Sequence, residues 1–328
     1  MGNLRDRLKR IHEVKKIDST HESQEQSEEI INLIKLGWKS CGYKVMERDV
    51  SFQSPFKNIK KLPTELPIFI PDLQYRDLPA IEDFLFFDLE TTGLSGGAGT
   101  VAFLAAFGKI ENGKLIITQY LLLDYPGEND FLEKVLARLN EEKKVIVSYN
   151  GKCFDSQIIK TRCLMNRIKI PEYWHVDLLH PARRLWKNII HDCSQASIET
   201  KILGLSREGD IPGSLAPEIW FEFLKTGNLV RLTGICDHNL SDISGLSTML
   251  CAVILIASDP FNINKYCYDT QRLARFVYAY AYRQMMICNY DKPLELINKA
   301  IKVIEPDTLM YNKLKRRKLL LEKKSKKL

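Results

Sequence analysis

Two carboxylates follow a short apolar segment near residue 88. Residues 84–87 suit a buried strand, and Asp88 and Glu90 come directly after them. Side chains alternate along a strand, so both carboxylates project from one face, about 7 Å apart. Such neighbours are costly unless a cation neutralises them, and oxygen ligands favour Mg²⁺ or Mn²⁺ over zinc. The alternative is an exposed strand end with two unpaired acids.

A third carboxylate, Asp155, opens a predicted helix. It follows the strand-like residues 145–147 and an Asn150-Gly151 turn. An acid in the first turn of a helix also stabilises that helix by roughly 0.3–1 kcal/mol. Taken alone, Asp155 is therefore explained as well by a helix cap as by a metal ligand.

His238 and Asp242 lie four residues apart in a long predicted helix, hence on one face of it. This spacing would suit a metal carboxylate beside a general base, since imidazole titrates in a useful range. The alternative is a surface His–Asp pair, which is common on helices. On this spacing alone the surface pair is the better explanation.

Taken together, these elements resemble the three exonuclease motifs of the DEDD superfamily, which includes proofreading exonucleases. Their order is a strand, a strand-to-helix turn and a late helix. Residues 175–186, 210–213 and 238–242 give a finer resemblance, to the YprB-like, ribonuclease-H-like proteins of that superfamily. The resemblance covers about residues 80–260.

The resemblance implies a two-metal-ion mechanism with Mg²⁺ or Mn²⁺. Asp88 would bridge both ions, Glu90 would ligate one, and Asp155 and Asp242 would complete the metal shells. His238 would orient or deprotonate the attacking water. One departure concerns this histidine: in the histidine-type enzymes it lies five residues before the last Asp, whereas His238 lies four before Asp242, where tyrosine-type enzymes place a Tyr.

We therefore predict a metal-dependent hydrolase, a 3′→5′ exonuclease that cuts DNA or RNA, with a single strand or a 3′ end as its preferred partner. Two alternatives stay open. One is a catalytically silent nucleic-acid-binding or scaffold protein with a ribonuclease-H-like fold, and the weaker one is a structure-specific endonuclease. The complete set of four acids favours the enzyme, because a silent domain gains nothing from their mutual repulsion.

The elements that must position these residues predict an α/β fold. Strand-like residues 101–107 and 115–123 flank an Asn112-Gly113 hairpin turn, and a helix over 129–140 precedes the strand at 145–147. This order indicates a ribonuclease-H-like mixed sheet flanked by helices. The glycine-rich turn at residues 93–99 is expected to shape the substrate cleft.

We predict three regions along the chain. Residues 1–80 would form N-terminal helices and a proline-rich extended connector, and residues 81–262 the exonuclease domain. Residues 263–328 would form a helical region that looks like a single tetratricopeptide-like repeat with a basic tail, and these helices would offer a surface to a protein partner. Arg183 and Arg184 are candidate phosphate contacts, although a structural role for the preceding Asp177 is favoured, as a helix cap or in an Asp–Arg pair.

Composition is that of an ordinary globular protein, with 45% hydrophobic and 27% charged residues. Without an evident apolar run of roughly 18–20 residues or a signal-peptide core, we expect a cytoplasmic protein that does not enter a membrane. The eight cysteines form no CxxC pair, so no zinc ribbon is indicated. The net charge of +7 belongs to the tail, because residues 313–327 hold nine Lys/Arg and one acid. That tail suits phosphate contacts or a solvated helix end equally well.

Overall fold

The computed structural model describes residues 30–74, 77–93, 97–207, 209–262 and 266–326. The helices predicted within residues 1–29 and the centre of the glycine-rich turn, residues 94–96, lie outside the described residues. Residues 30–35 are helical.

A seven-stranded mixed sheet forms the centre of the described chain. Its order is β1-β2-β5-β4-β3-β6-β7; neighbours from β1 to β3 are antiparallel, and β3, β6 and β7 are parallel. The strands are β1 (Lys39–Gly42), β2 (Val45–Gln53), β3 (Phe84–Thr91), β4 (Ala102–Glu111), β5 (Lys114–Leu122), β6 (Val145–Ser148) and β7 (Trp174–Asp177). The predicted α/β fold with a mixed sheet is confirmed.

The first two strands extend this sheet beyond the predicted exonuclease region. β2 pairs with β5 along its whole length, from Val45 opposite Leu122 to Gln53 opposite Lys114. Part of the segment predicted as helices and connector is therefore sheet. The boundary near residue 80 stays a prediction, but β1 and β2 belong to the same sheet as the residues that follow it.

Helices cover both faces of the sheet. In the described residues they are α1 (Leu66–Phe69), α2 (Glu128–Leu139), α3 (Asp155–Met165), α4 (Leu179–Trp186), α5 (Gln195–Ile198), α6 (Ala216–Thr226), α7 (Leu229–Ser258), α8 (Thr270–Met286), α9 (Asp291–Val303) and α10 (Leu309–Ser325). Short 3₁₀ turns lie at Pro71–Leu73, Ile81–Asp83, Tyr125–Gly127 and Gly213–Leu215, and a π-helical turn lies at Glu199–Leu203.

Alternation along β3 divides the core into two layers. Phe84 and Phe86 belong to the layer that contains most of α7 and the C-terminal helices. Leu85 and Phe87 belong to the opposite layer, formed with α2, α3 and α6. Since side chains two residues apart share a face, Asp88 continues the face that is covered by α7.

Close packing brings α7 down onto the sheet. A Cβ atom added to Gly108 of β4 would lie 2.5 Å from Cγ2 of Ile243, so only glycine fits beneath the helix there. By length and composition α7 could span a membrane, a property that the absence of an evident long apolar run did not lead us to expect. However, 72% of its most apolar 18 residues are buried within the protein, as in a core helix.

The C-terminal helices α8, α9 and α10 pack against one another, and α8 also contacts α1 and α4. Leu314 and Leu321 of α10 are fully buried. Arg317 donates a 2.8 Å hydrogen bond to the hydroxyl of Tyr278 on α8. The basic segment is therefore largely a docked helix with charged residues on its outer side, and not a frayed end.

Candidate active site

Asp88 and Glu90 lie in the second half of β3, opposite Ala106 and Leu104 of β4. Asp88 is half-buried and the side chain of Glu90 is buried. A register irregularity follows directly between Glu90 and Thr91. Both carboxylates therefore sit near the point where β3 ends, at the carboxyl edge that it shares with the parallel strands β6 and β7.

A chain of hydrogen bonds holds the Asp88 carboxylate. The side-chain amide of Asn239 on α7 donates to Asp88 Oδ2 at 2.7 Å. The amide of Gln119 on β5 donates to Asn239 Oδ1 at 2.8 Å, and Arg48 of β2 donates to Gln119 Oε1 at 2.7 Å. Gln119 and Asn239 are fully buried. Three elements thus fix the direction in which Asp88 points.

Asp155 begins α3, with its carboxylate turned back towards the preceding loop. A Cβ atom on Gly151 would lie 2.8 Å from Asp155 Oδ2, so glycine is needed for this approach. Asp177, at the end of β7, orders the same loop by accepting hydrogen bonds from the backbone N–H groups of Asn150 (2.8 Å), Lys152 (3.2 Å) and Leu179 (3.0 Å). Asp177 therefore organises the turn after β6 and the first turn of α4.

His238 is held between two carboxylates. Its Nδ1 lies 2.8 Å from Oδ1 of Asp210, and its Nε2 lies 3.2 Å from Oδ2 of Asp242, one helical turn further along α7. A Cβ atom on Gly213 would lie 2.9 Å from Nε2, so the loop that carries Asp210 packs closely on the ring. The pair is not a surface pair, because both side chains are mostly buried.

Arg207 is paired with the other oxygen of Asp242. Its guanidinium also donates to Glu199 and lies 3.2 Å from Asp210. Glu199 is fully buried and packs against α7 at Gly245, where a Cβ atom would lie 1.8 Å from Glu199 Oε1. Arg207 therefore neutralises part of the acidic cluster from a loop that precedes α6.

The charge distribution raises the pKa values of three of the four predicted carboxylates. Burial raises the pKa of Asp88 well above its usual value, and the neighbouring charges of Asp242, Asp155 and Glu90 add to this. Burial likewise raises the pKa of Glu90 to about 8, although His238 acts against it, and burial together with Asp177 raises that of Asp155 to about 7. The acids are thus close enough to oppose one another's ionisation.

Asp242 and His238 show the opposite balance. Burial disfavours the Asp242 carboxylate, but its contacts with His238 and Arg207 outweigh burial and lower its pKa. Burial likewise disfavours the charged imidazole, yet Asp242, Glu90 and Asp210 raise the pKa of His238 to about 9. His238 is therefore an imidazolium at neutral pH in the metal-free protein.

These residues fit a divalent cation. Glu90, His238 and Asp242 each offer a ligand atom, and the three atoms lie within 4.8 Å of one another. Asp88 and Asp155 add carboxylates whose ionisation is suppressed until a positive charge arrives. An oxygen-rich donor set of this kind suits Mg²⁺ or Mn²⁺, and cation binding would release the protons that the raised pKa values retain.

Several residues around the site were not identified from the sequence as functional. Arg207, Glu199 and Gln119 lie outside the three motifs, and no spacing rule points to them. Asn239 and Asp210 lie within stretches that carry the family resemblance, but they received no role. Asn239 could have been found by helical geometry, because it lies three residues before Asp242 and so shares a face with it.

Comparison with known proteins identifies the family of the chain. A 170-residue segment is 38% identical to the uncharacterized protein YprB of Bacillus subtilis (strain 168); it covers 51% of this chain and 41% of that protein. The chain therefore matches less than half the length of that relative. A family model described as the RNase_H superfamily matches residues 85–254, which include Asp88, Glu90, Asp155, His238 and Asp242. This chain belongs to the RNase H superfamily.

Proposed function

We propose that this protein is a metal-dependent nuclease that hydrolyses phosphodiester bonds in DNA or RNA, as a 3′→5′ exonuclease. The observation that carries the proposal is the group of four carboxylates, Asp88, Glu90, Asp155 and Asp242, at the carboxyl edge of the sheet. Their mutual repulsion raises pKa values, a cost that a cation site explains. The family membership supports the same class of reaction.

Each acid has a proposed task as a metal ligand. Asp88 would bridge two cations, because it is central to the group and its carboxylate is oriented by Asn239. Glu90 and Asp242 would each hold one cation, and Asp155 would complete a shell, in part through water. Two such cations supply an activated water and stabilise the leaving oxygen.

His238 would orient the attacking water or take its proton. Asp210 fixes the ring through Nδ1, which is how a carboxylate commonly sets the tautomer of a catalytic imidazole. Nε2 then faces the Asp242 side of the site. His238 must lose its own proton before it can act as a base, and positive charge near Glu90 and Asp242 would lower its pKa.

One observation favours the silent alternative, in which the fold binds nucleic acid without cutting it. Arg207 neutralises Asp242 without any cation. A protein that has lost its metals would need such an internal counter-charge. In the enzyme, the same arginine would instead stabilise the metal-free site and turn towards substrate phosphate on cation binding.

The deciding experiment compares wild type with Asp88→Asn. Purified protein is incubated with 5′-labelled single- and double-stranded DNA and RNA in Mg²⁺, Mn²⁺ or chelator. We expect stepwise shortening from the 3′ end in metal only, and a loss of at least about a hundredfold in Asp88→Asn. Glu142→Gln, an exposed acid between α2 and β6, is the matched control and should retain wild-type activity.

Three results would contradict parts of the proposal. If wild type degrades none of these substrates, the silent alternative stands. If Asp88→Asn is as active as wild type, the carboxylate site is wrong. If a 3′-blocked or circular strand is cut as fast as a free 3′ end, the activity is endonucleolytic.

A further inference from the structure

A basic cleft lies next to the four carboxylates. It has a volume of about 600 Å³, within the usual range for ligand sites. Tyr149 and Asn150, which follow β6, form one wall, and Arg183 and Lys187 of the α4 region form another. The parallel strands β3, β6 and β7 end along the same edge of the sheet, where ligands of open α/β sheets commonly bind.

The cleft is joined to the proposed catalytic site by Gln195. This residue lines the cleft, and its side-chain amide donates to the backbone oxygen of Asp242 at 2.7 Å and to Glu199 Oε1 at 2.9 Å. On the opposite wall, Asn150 is anchored by Asp177 within the loop that leads to Asp155. Ligand in the cleft would therefore lie beside the acidic cluster.

The charges in the cleft are mainly positive. Arg183 and Lys187 are exposed, and within the described residues neither has a carboxylate within 4.0 Å. Burial raises the pKa of the Cys193 thiol in the same wall, whereas the charges of Arg183, Lys187 and Arg272 act to lower it. Asp192, the acid in the lining, is occupied by the hydroxyls of Ser194 and Ser197.

The neighbouring arginine and a second cleft provide contrasts. Arg184 donates to the backbone oxygen of Phe69 and lies over the ring of Phe276, so it is committed to packing. A cleft of about 500 Å³ beside Ser156 contains Lys152 and Lys160. There Lys152 pairs with Asp72 at 2.7 Å, and Glu172 in the lining offsets Lys160.

We propose that the cleft lined by Arg183 and Lys187 binds the backbone phosphates of a nucleic acid strand next to the phosphodiester that is cut. The inference rests on the proposed function, because it assigns this cleft to the same substrate. Exposed cations without a carboxylate partner bind phosphates with release of counterions. Arg183 presents a planar fork that matches two phosphate oxygens.

The test measures strand binding without cleavage. All variants are made in the Asp88→Asn background, and the anisotropy of a short 5′-fluorescein-labelled single strand of DNA or RNA is titrated in Mg²⁺ over a range of salt. We expect Arg183→Gln with Lys187→Gln to weaken binding about tenfold at low salt. The slope of log Kd against log salt should fall by about two, one for each lost phosphate contact.

The matched control removes two exposed lysines at the opposite edge of the sheet. Lys114 follows the β4–β5 turn and Lys143 precedes β6; Lys114→Gln with Lys143→Gln lowers the net charge equally. Binding by this control should stay within about twofold of its parent. Equal losses in both pairs, or no loss in the Arg183 and Lys187 pair, would overturn the proposal.

Kinetics with Asp88 intact separate this inference from the proposed function. The Arg183 and Lys187 pair should raise KM for strand degradation about tenfold and leave kcat within about twofold. A fall in kcat with unchanged KM would overturn the assignment as a strand-binding cleft. If wild type degrades nothing, the proposed nuclease fails, whereas the binding titration still decides the role of the cleft.

Discussion

At the scale of single residues, the site stores protons that a cation would displace. Glu90, Asp155 and His238 have raised pKa values of about 8, 7 and 9. A group whose pKa is raised by folding stabilises the folded state below its unfolded pKa and loses that contribution as pH rises through the folded value. Asp242, with a lowered pKa, contributes in the opposite sense and is lost in acid.

The first prediction follows from these signs. In chelator, the thermal midpoint should be highest near about pH 5–6 and should fall as pH rises towards about 9, because three groups then lose favourable protons. Mn²⁺ should raise the midpoint most at the alkaline end, where it no longer competes with protons. A thermal shift series over pH measures both effects. A metal-free midpoint that rises from pH 6 to pH 9 would contradict the charge distribution described here.

The second prediction concerns the partner of the imidazole. Asp210→Asn removes a negative charge from Nδ1 of His238 and so lowers the pKa of the ring. If neutral His238 acts in catalysis, the rising limb of the pH–rate profile should move to lower pH by about one unit. Glu218→Gln, at an exposed acid paired with Arg231, is the control. An unmoved limb would show that protonation of His238 does not govern the rate.

At the scale of elements, a buried hydrogen-bond chain joins three strands and one helix. Arg48 on β2, Gln119 on β5 and Asn239 on α7 lead in sequence to Asp88 on β3. Small residues make this possible, since Gly108 lets α7 approach the sheet closely enough for Asn239 to reach the carboxylate. The chain gives β2 a role in positioning the site, although β2 lies outside the matched family region.

The third prediction tests that role. Gln119→Leu removes the donor to Asn239 and leaves buried polar groups without a partner, which should cost about 1–3 kcal/mol of folding free energy. Because Asp88 then loses its fixed orientation, kcat should fall about tenfold with little change in KM. Gln119→Glu retains an acceptor for Arg48 but cannot donate to Asn239, so it should also lower kcat.

A purely structural effect is excluded by a control on the same strand. Thr118 is buried on β5, and its hydroxyl donates to Asp49 at 2.6 Å. Thr118→Val should lower stability while kcat stays near the wild-type value. If Thr118→Val and Gln119→Leu reduce kcat in proportion to lost stability, the chain has no separate positioning role.

At the scale of the whole molecule, positive charge is concentrated on the outer side of α10. Lys315, Arg316 and Lys323 are exposed, whereas Leu314 and Leu321 anchor the helix in the core. Deleting the basic segment would therefore remove part of the core together with the charge. The separate question of phosphate binding needs substitutions that leave the two leucines in place.

The fourth prediction uses such substitutions. Replacing Lys315, Arg316 and Lys323 with Gln should weaken nucleic acid binding at low salt and by much less at high salt, because exposed charges act through counterion release. The thermal midpoint should change little, since the buried anchors remain. Anisotropy titrations at two salt concentrations provide the measurement. Unchanged affinity at low salt would mean that the basic face of α10 is only a solvated helix surface.

The sequence by itself determined the local elements and the identity of the acids. Alternation fixed the common face of Asp88 and Glu90, the Asn112-Gly113 turn fixed the β4–β5 hairpin, and helical spacing placed His238 beside Asp242. These features depend on neighbours within a few residues, so periodicity and turn chemistry are sufficient to predict them.

Only the tertiary structure decided how the site is completed. Asn239 meets Asp88 across 151 residues of sequence, and Arg207 reaches Asp242 from a loop whose path no periodicity describes. The same holds for β1 and β2, whose place beside β5 depends on pairing between distant segments. Contacts of this kind follow from the packing of whole elements around one core, and the free energy that selects them is shared by the entire fold.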